Sequence, residues 1–151
     1  MIALASIDKI NLLKELYGEI HIPKAVQDEI IVKTGSKAQI AVDNFQDWII
    51  VSSIKNIETK RFFKIQLHDG EVEVMILGKE LKADTLIIDD SLARKYAKYL
   101  GFKITGTLGV ILNSKEQGII KYVKPLIDGL VDNGIYIEDS LYQSILRIAG
   151  E

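Results

Sequence analysis

The run Thr85-Leu86-Ile87-Ile88-Asp89 restricts the fold of this chain more than any other stretch. Three large apolar residues stand in a row between segments of helical period, and neither side of the run is polar. A strand of that kind is buried on both faces, which parallel sheets covered by helices provide.

The neighbouring text supports the same architecture. Leu12, Leu13, Leu16 and Tyr17 repeat at helical spacing and Gly18 stops them. Ile20 and Ile22 alternate around His21 as an extended segment, and Pro23 suits the first turn of the next helix. That helix carries Val26, Ile30 and Ile31 and breaks at Thr34-Gly35-Ser36. The spacing predicts further helices over 38–45, 71–81, 91–100, 107–117, 122–132 and up to Ala149, the last capped by Asp139 or Ser140. Strands are predicted at Trp48–Val51, Phe102–Thr105 and Ile135–Ile137, and a loop with an extended or short helical piece at 55–64. Strands separated by helices of about ten residues imply an α/β chain with a mostly parallel sheet and helices on both faces. No linker, repeat or low-complexity stretch divides the 151 residues, so a single domain over 1–151 is expected.

Composition narrows the chemistry. There is no cysteine, and the two histidines, His21 and His68, lack metal-binding spacing. Any metal is therefore a hard cation held by carboxylates. A net charge of −2 rules out a bulk basic coat but leaves room for a local basic patch. No apolar stretch approaches the roughly 20 residues of a membrane helix, so no membrane contact is expected and the expected compartment is the cytoplasm.

Ligands of open parallel sheets bind beyond the carboxyl ends of the strands, where Asp89 and Asp90 fall. Asp90 suits helix capping as well as function, whereas Asp89, one place before the cap, has little evident structural duty. Glu71 shares a helical face with Val74, Met75 and Gly78, and Gly78 would let that face approach the sheet closely. Glu73 points with Glu80, toward solvent on this reading. Lys55, Lys60, Arg61 and Lys64 against Glu58 make a local positive stretch, with Phe62 and Phe63 interleaved for stacking on unpaired bases. Arg94 and Lys98 line one face of the helix leaving Asp90. Solvated lysines and core phenylalanines explain the 55–64 stretch equally well.

Several runs together resemble the PIN-domain proteins, and within them a prokaryotic branch akin to VapC-type toxins. They are Ile2-Ala3-Leu4-Ala5 with the Leu12-Leu13 helix, Ile22-Pro23 with Val26 and Glu29, and Asp69-Gly70-Glu71-Val72-Glu73. The order continues with Ile88-Asp89-Asp90 and Arg94, Gly106-Thr107-Leu108-Gly109-Val110, and the closing 141–151 helix. The resemblance implies a three-layer PIN-like fold and a Mg²⁺- or Mn²⁺-dependent ribonuclease whose acids cluster at the sheet's carboxyl rim. Position by position, Glu29, Glu71 and Asp89 match the family's second, third and fourth acids, with Asp90 adjacent. Arg94, Thr107, Lys60 and Arg61 are the candidate contacts to RNA. The family's first acid ends an N-terminal strand in a motif like Asp-Thr-Ser, and this sequence starts inside the run that follows it. The expectation is thus an N-terminally short domain, either because Met1 is internal to a longer product or because the member is shortened. The resemblance also implies a toxin of a toxin-antitoxin pair, an antitoxin protein as partner and a homodimer. The departure at the first acid keeps open a catalytically silent RNA- or protein-binding module. A receiver-like phosphoacceptor at Asp89 ranks below both, because it lacks its acidic pair and lysine.

Overall fold

The computed structural model describes residues 1–32, 35–63 and 67–151, and of Phe62 and Phe63 the backbone alone. Lys64, Thr34 and the phenylalanine side chains invoked above lie outside the described residues. In chain order the elements begin with α1 (Ile2–Ser6), α2 (Asn11–Tyr17), β1 (Ile20–Pro23), α3 (Lys24–Val32), α4 (Lys37–Asn44) and β2 (Ile49–Ser52). There follow α5 (Ile57–Phe63), α6 (Asp69–Leu81), β3 (Leu86–Ile87), α7 (Ser91–Tyr99) and β4 (Ile104–Thr105). The chain closes with α8 (Thr107–Glu116), α9 (Lys124–Asp132) and α10 (Asp139–Ala149).

Both strand pairings are parallel, as the apolar runs predicted: Ile20 pairs with Ile49 through to Pro23 with Ser52, and Leu86 pairs with Ile104 and Ile87 with Thr105. The expected larger sheet is absent among the described residues. β1–β2 and β3–β4 form two separate two-stranded pairs, and α6 packs against both β1 and β3. Ile135–Ile137 does not form the predicted strand. Gly134 turns the chain at φ 82° and the Ile135 amide donates to the Leu130 carbonyl at 3.0 Å, so this stretch folds back on α9. Ile135 and Ile137 instead pack on the core through their side chains. The 55–64 stretch carries α5, begun by the Asn56 side chain accepting from the Thr59 amide at 3.0 Å.

Two apolar clusters hold these elements. The larger gathers Leu4, Leu13, Ile30, Ile49, Val110, Ile111, Ile127 and Leu130. The smaller joins Val72, Met75 and Ile76 of α6 to Leu86 and Ile88 around β3, and to Ala93 and Ala97 of α7. Gly78 sets the depth of that packing, because a Cβ there would collide with the Leu86 side chain. The close approach expected of Gly78 is therefore real, and Leu86 is what approaches.

Candidate functional site

β3 and β4 are parallel neighbours, so their carboxyl ends open side by side, with Asp89 after one and Gly106-Thr107 after the other. Asp89 bridges the two ends. Its Oδ1 accepts from the Thr107 amide and its Oδ2 from the Thr107 hydroxyl, both at 2.7 Å. Thr107 opens α8, so the carboxylate satisfies an orphan amide at the positive end of a helix. The structural duty that the sequence reading denied to Asp89 thus exists, and it lies 18 residues away in the chain.

Asp90 caps α7, its Oδ1 accepting from the Ala93 amide at 2.8 Å. Arg94 reaches back along the same helix, and Nη1 donates to the Ile88 carbonyl at 2.8 Å. A Cβ on Gly106 would stand 2.8 Å from both Asp89 Oδ1 and Arg94 Nη1, so this floor has no room for a side chain. The backbone nitrogen of Met1 also lies buried in the neighbourhood of Asp89.

Glu71 sits in the first turn of α6, where Oε2 accepts from the His68 amide at 3.0 Å. Glu29, exposed on α3, lies against the same helix start: a Cβ on Gly70 would come within 2.7 Å of its Oε1. The connection 82–85 folds β3 back along α6 after the Gly78–Leu86 contact. From that contact, seven helical residues lead to Glu71 and three extended residues to Asp89, about 10 Å in either case. Glu71 and Asp89 therefore lie toward the same side of the Gly78–Leu86 contact, and Glu29 lies beside the start of α6. They do not share one point, since among the described residues no three His, Cys, Asp or Glu side chains stand together closely enough to hold a metal ion.

Lys60 is turned away from solvent. Its ammonium lies 2.6 Å from Glu73 Oε1 and 3.1 Å from Asp69 Oδ2, and the Glu73 hydrogen bond, helped by Asp69, raises its pKa against the opposing effect of burial. Glu73, expected in solvent, is buried: its Oε2 accepts from the Ala25 amide at 2.9 Å, which ties the start of α3 to α6. The sequence carries no local sign of this tie, because Lys60, Ala25 and Glu73 belong to three different helices. Arg61 is exposed on α5.

A PIN-domain family model, DUF3368, matches residues 1–151. No curated protein and no solved structure matches the chain. No helix among the described residues is long and apolar enough to cross a membrane.

Proposed function

Because the chain belongs to the PIN-domain family, whose members are nucleases or nucleic-acid-binding modules, we propose that it is an endoribonuclease hydrolysing phosphodiester bonds in RNA. On this reading residues 1–151 form one PIN-like domain, the toxin of a toxin-antitoxin pair, working as a homodimer in the cytoplasm and neutralised by an antitoxin protein. What supports the reading is that Asp89 stands where the parallel β3–β4 pair ends, bonded to Thr107, and that Glu29 and Glu71 both lie at the start of α6. PIN domains generally use divalent ions, and these carboxylates offer the hard oxygens that Mg²⁺ or Mn²⁺ prefers. As placed they do not make a three-acid site, so the reading rests on the family.

What the chain's own residues do follows from their contacts. Thr107 fixes the rotamer of Asp89 through two donors, leaving about two of the carboxylate's four lone-pair positions open. Arg94 is tethered beside it on the Ile88 carbonyl, a guanidinium held where a phosphate's charge would arrive. Gly106 keeps that floor bare.

A second reading, a silent RNA- or protein-binding module, is favoured by the same contacts: Asp89 and Glu71 both already serve donors at helix starts. One experiment separates the two. Cleavage of a single-stranded RNA is followed with Mn²⁺ for the wild type, Asp89→Asn and Glu71→Gln, with RNA binding measured in parallel. Gln can keep the capping contact of Glu71, so loss of activity there is not loss of fold. Cleavage by the wild type that falls at least a hundredfold in both variants, with binding retained, supports the nuclease. Binding without cleavage by all three selects the silent module, and equal cleavage by all three defeats the site assignment.

A further inference from the structure

At the end of the β3–β4 pair away from Asp89, the connections 82–85 and 100–103 lie side by side, joined by the Leu86 amide donating to the Lys103 carbonyl at 2.9 Å. Around them stand Lys79 and Lys82 at the end of α6, Lys95 and Lys98 on the outer face of α7, and Lys103 before β4, all exposed. Lys98 is held against this turn by the Gly101 amide bonding its carbonyl at 2.9 Å, and Phe102 likewise bonds Ala97 at 3.0 Å. Lys14, Lys24, Lys37, Lys60, Lys115 and Lys124 each pair with a carboxylate. Among the described residues these five lysines, like the scattered Lys9, Lys55 and Lys121, have no carboxylate partner, and these five gather at one place in the fold. Of the nearby acids, Glu80 is taken up by the Lys55 and Asn56 amides, and Asp84 remains. In a chain of net charge −2, this is a concentrated positive surface. Tyr99, the last residue of α7 and one helical turn beyond Lys95, has 90% of its surface in water.

Unpaired lysines around a bare aromatic ring suit a single-stranded polyanion with flat bases: the ammonium groups meet phosphates, and the ring offers a face for one base. We propose that this lysine–tyrosine surface is an RNA-docking site separate from the acidic rim. The nine residues of α7 place the two about 13 Å apart, so one strand lying along α7 touches both. An acidic protein segment would use the lysines, but gives no reason for a fully exposed tyrosine among them.

The site rests on RNA being the ligand and not on cleavage, so it is tested by binding alone. Affinity for an unstructured RNA oligonucleotide is measured across salt concentrations for the wild type, Lys95→Ala/Lys98→Ala/Lys103→Ala, and Tyr99→Ala. Circular dichroism and thermal midpoints confirm the fold of these exposed-residue variants. If each lysine meets one phosphate, the triple variant lowers the slope of log K against log salt by about 2 and weakens binding about a hundredfold at 0.1 M salt. Tyr99→Ala weakens binding at least about fivefold with the slope unchanged. Wild-type slope and affinity in the triple variant overturn the site, as does a wild type that binds no RNA. So does loss of a poly-glutamate peptide with RNA binding intact, which assigns the surface to an acidic protein. Cleavage that fails while patch-dependent binding persists counts against the nuclease reading alone.

Discussion

Replacing Lys60 separates a lock within the fold from a contact to RNA. In Lys60→Met the apolar stem remains and the charge goes. Glu73 then keeps the Ala25 amide but loses the ammonium 2.6 Å away, in a side-chain position only 9% exposed. Breaking a buried pair from one side costs about 3–5 kcal/mol. The Lys60 side chain retains 19% exposure and water can reach it, so the lower end, about 3 kcal/mol, applies. At this chain length that is a fall of about 6–12 °C in thermal midpoint. Trp48, the single tryptophan and buried in the main core, reports unfolding in urea by its fluorescence. Adding Glu73→Leu removes the stranded buried carboxylate and returns part of the loss; the return is incomplete because the Ala25 amide loses its acceptor and Asp69 loses Lys60. The pH course has a definite sign. The folded pKa of Lys60 is raised, so its contribution is complete below the ordinary lysine value and is lost as pH rises through the higher folded one. Lys60→Met abolishes that alkaline loss. A stability change under about 0.5 kcal/mol together with a tenfold loss of RNA affinity would refute the lock and return Lys60 to the RNA surface.

Two further perturbations test the packing and the chain's last residue. Gly78→Ala places a methyl against Leu86 inside the smaller core; overpacking of about 1–3 kcal/mol exceeds the roughly 1 kcal/mol gained in helix propensity, so urea unfolding shows a net loss of about 1 kcal/mol, and a gain contradicts the contact. Glu151 accepts from Lys115, Val123 and Lys124 at 2.6, 2.7 and 2.9 Å, with Lys115 the chief cause of a pKa lowered from 4.5 to about 2. A lowered folded pKa means stability present above pH 4.5 and lost as pH falls toward about 2. Glu151→Gln flattens that acid limb, and identical limbs in the two proteins remove Glu151 as its source.

The sequence made the local features of this fold readable. The parallel pairing of β1 with β2 and of β3 with β4 follows from their apolar runs, the cap at Asp90 from its place before a helical period, and the close approach at Gly78 from its helical face. Gly18 and Gly101 end their helices at φ 74° and 84°, where a residue with a Cβ is strained. What stayed hidden depends on partners distant in the chain. The burial of Glu73 needs Lys60 and Ala25, the engagement of Asp89 needs Thr107, and the anchoring of Glu151 needs the start of α9. The strand predicted at Ile135–Ile137 fails for the complementary reason: alternation describes a residue's faces, but a strand also requires a neighbour with free backbone groups. The helix α1, unmarked by any cap, joins the core through Leu4 and Ala5.

The acidic rim shows why carboxylates alone are weak evidence of a metal centre. A helix start attracts an acid for the same electrostatic reason that a cation does, since both present positive potential to it. In text the two cases look alike: Asp89, Asp90 and Glu71 each stand just before or within the first turn of a helix, or against one. In space they differ in how many donors the protein already supplies. Asp90 and Glu71 each receive one backbone amide, and Asp89 receives an amide and a hydroxyl from Thr107. Asp89 is thus the most firmly oriented of the three while still exposed. On the nuclease reading, this carboxylate and the Arg94 guanidinium tethered on the Ile88 carbonyl would meet the phosphodiester together. Loss of cleavage in Asp89→Asn with unchanged RNA binding therefore carries more weight than any count of acids along the rim.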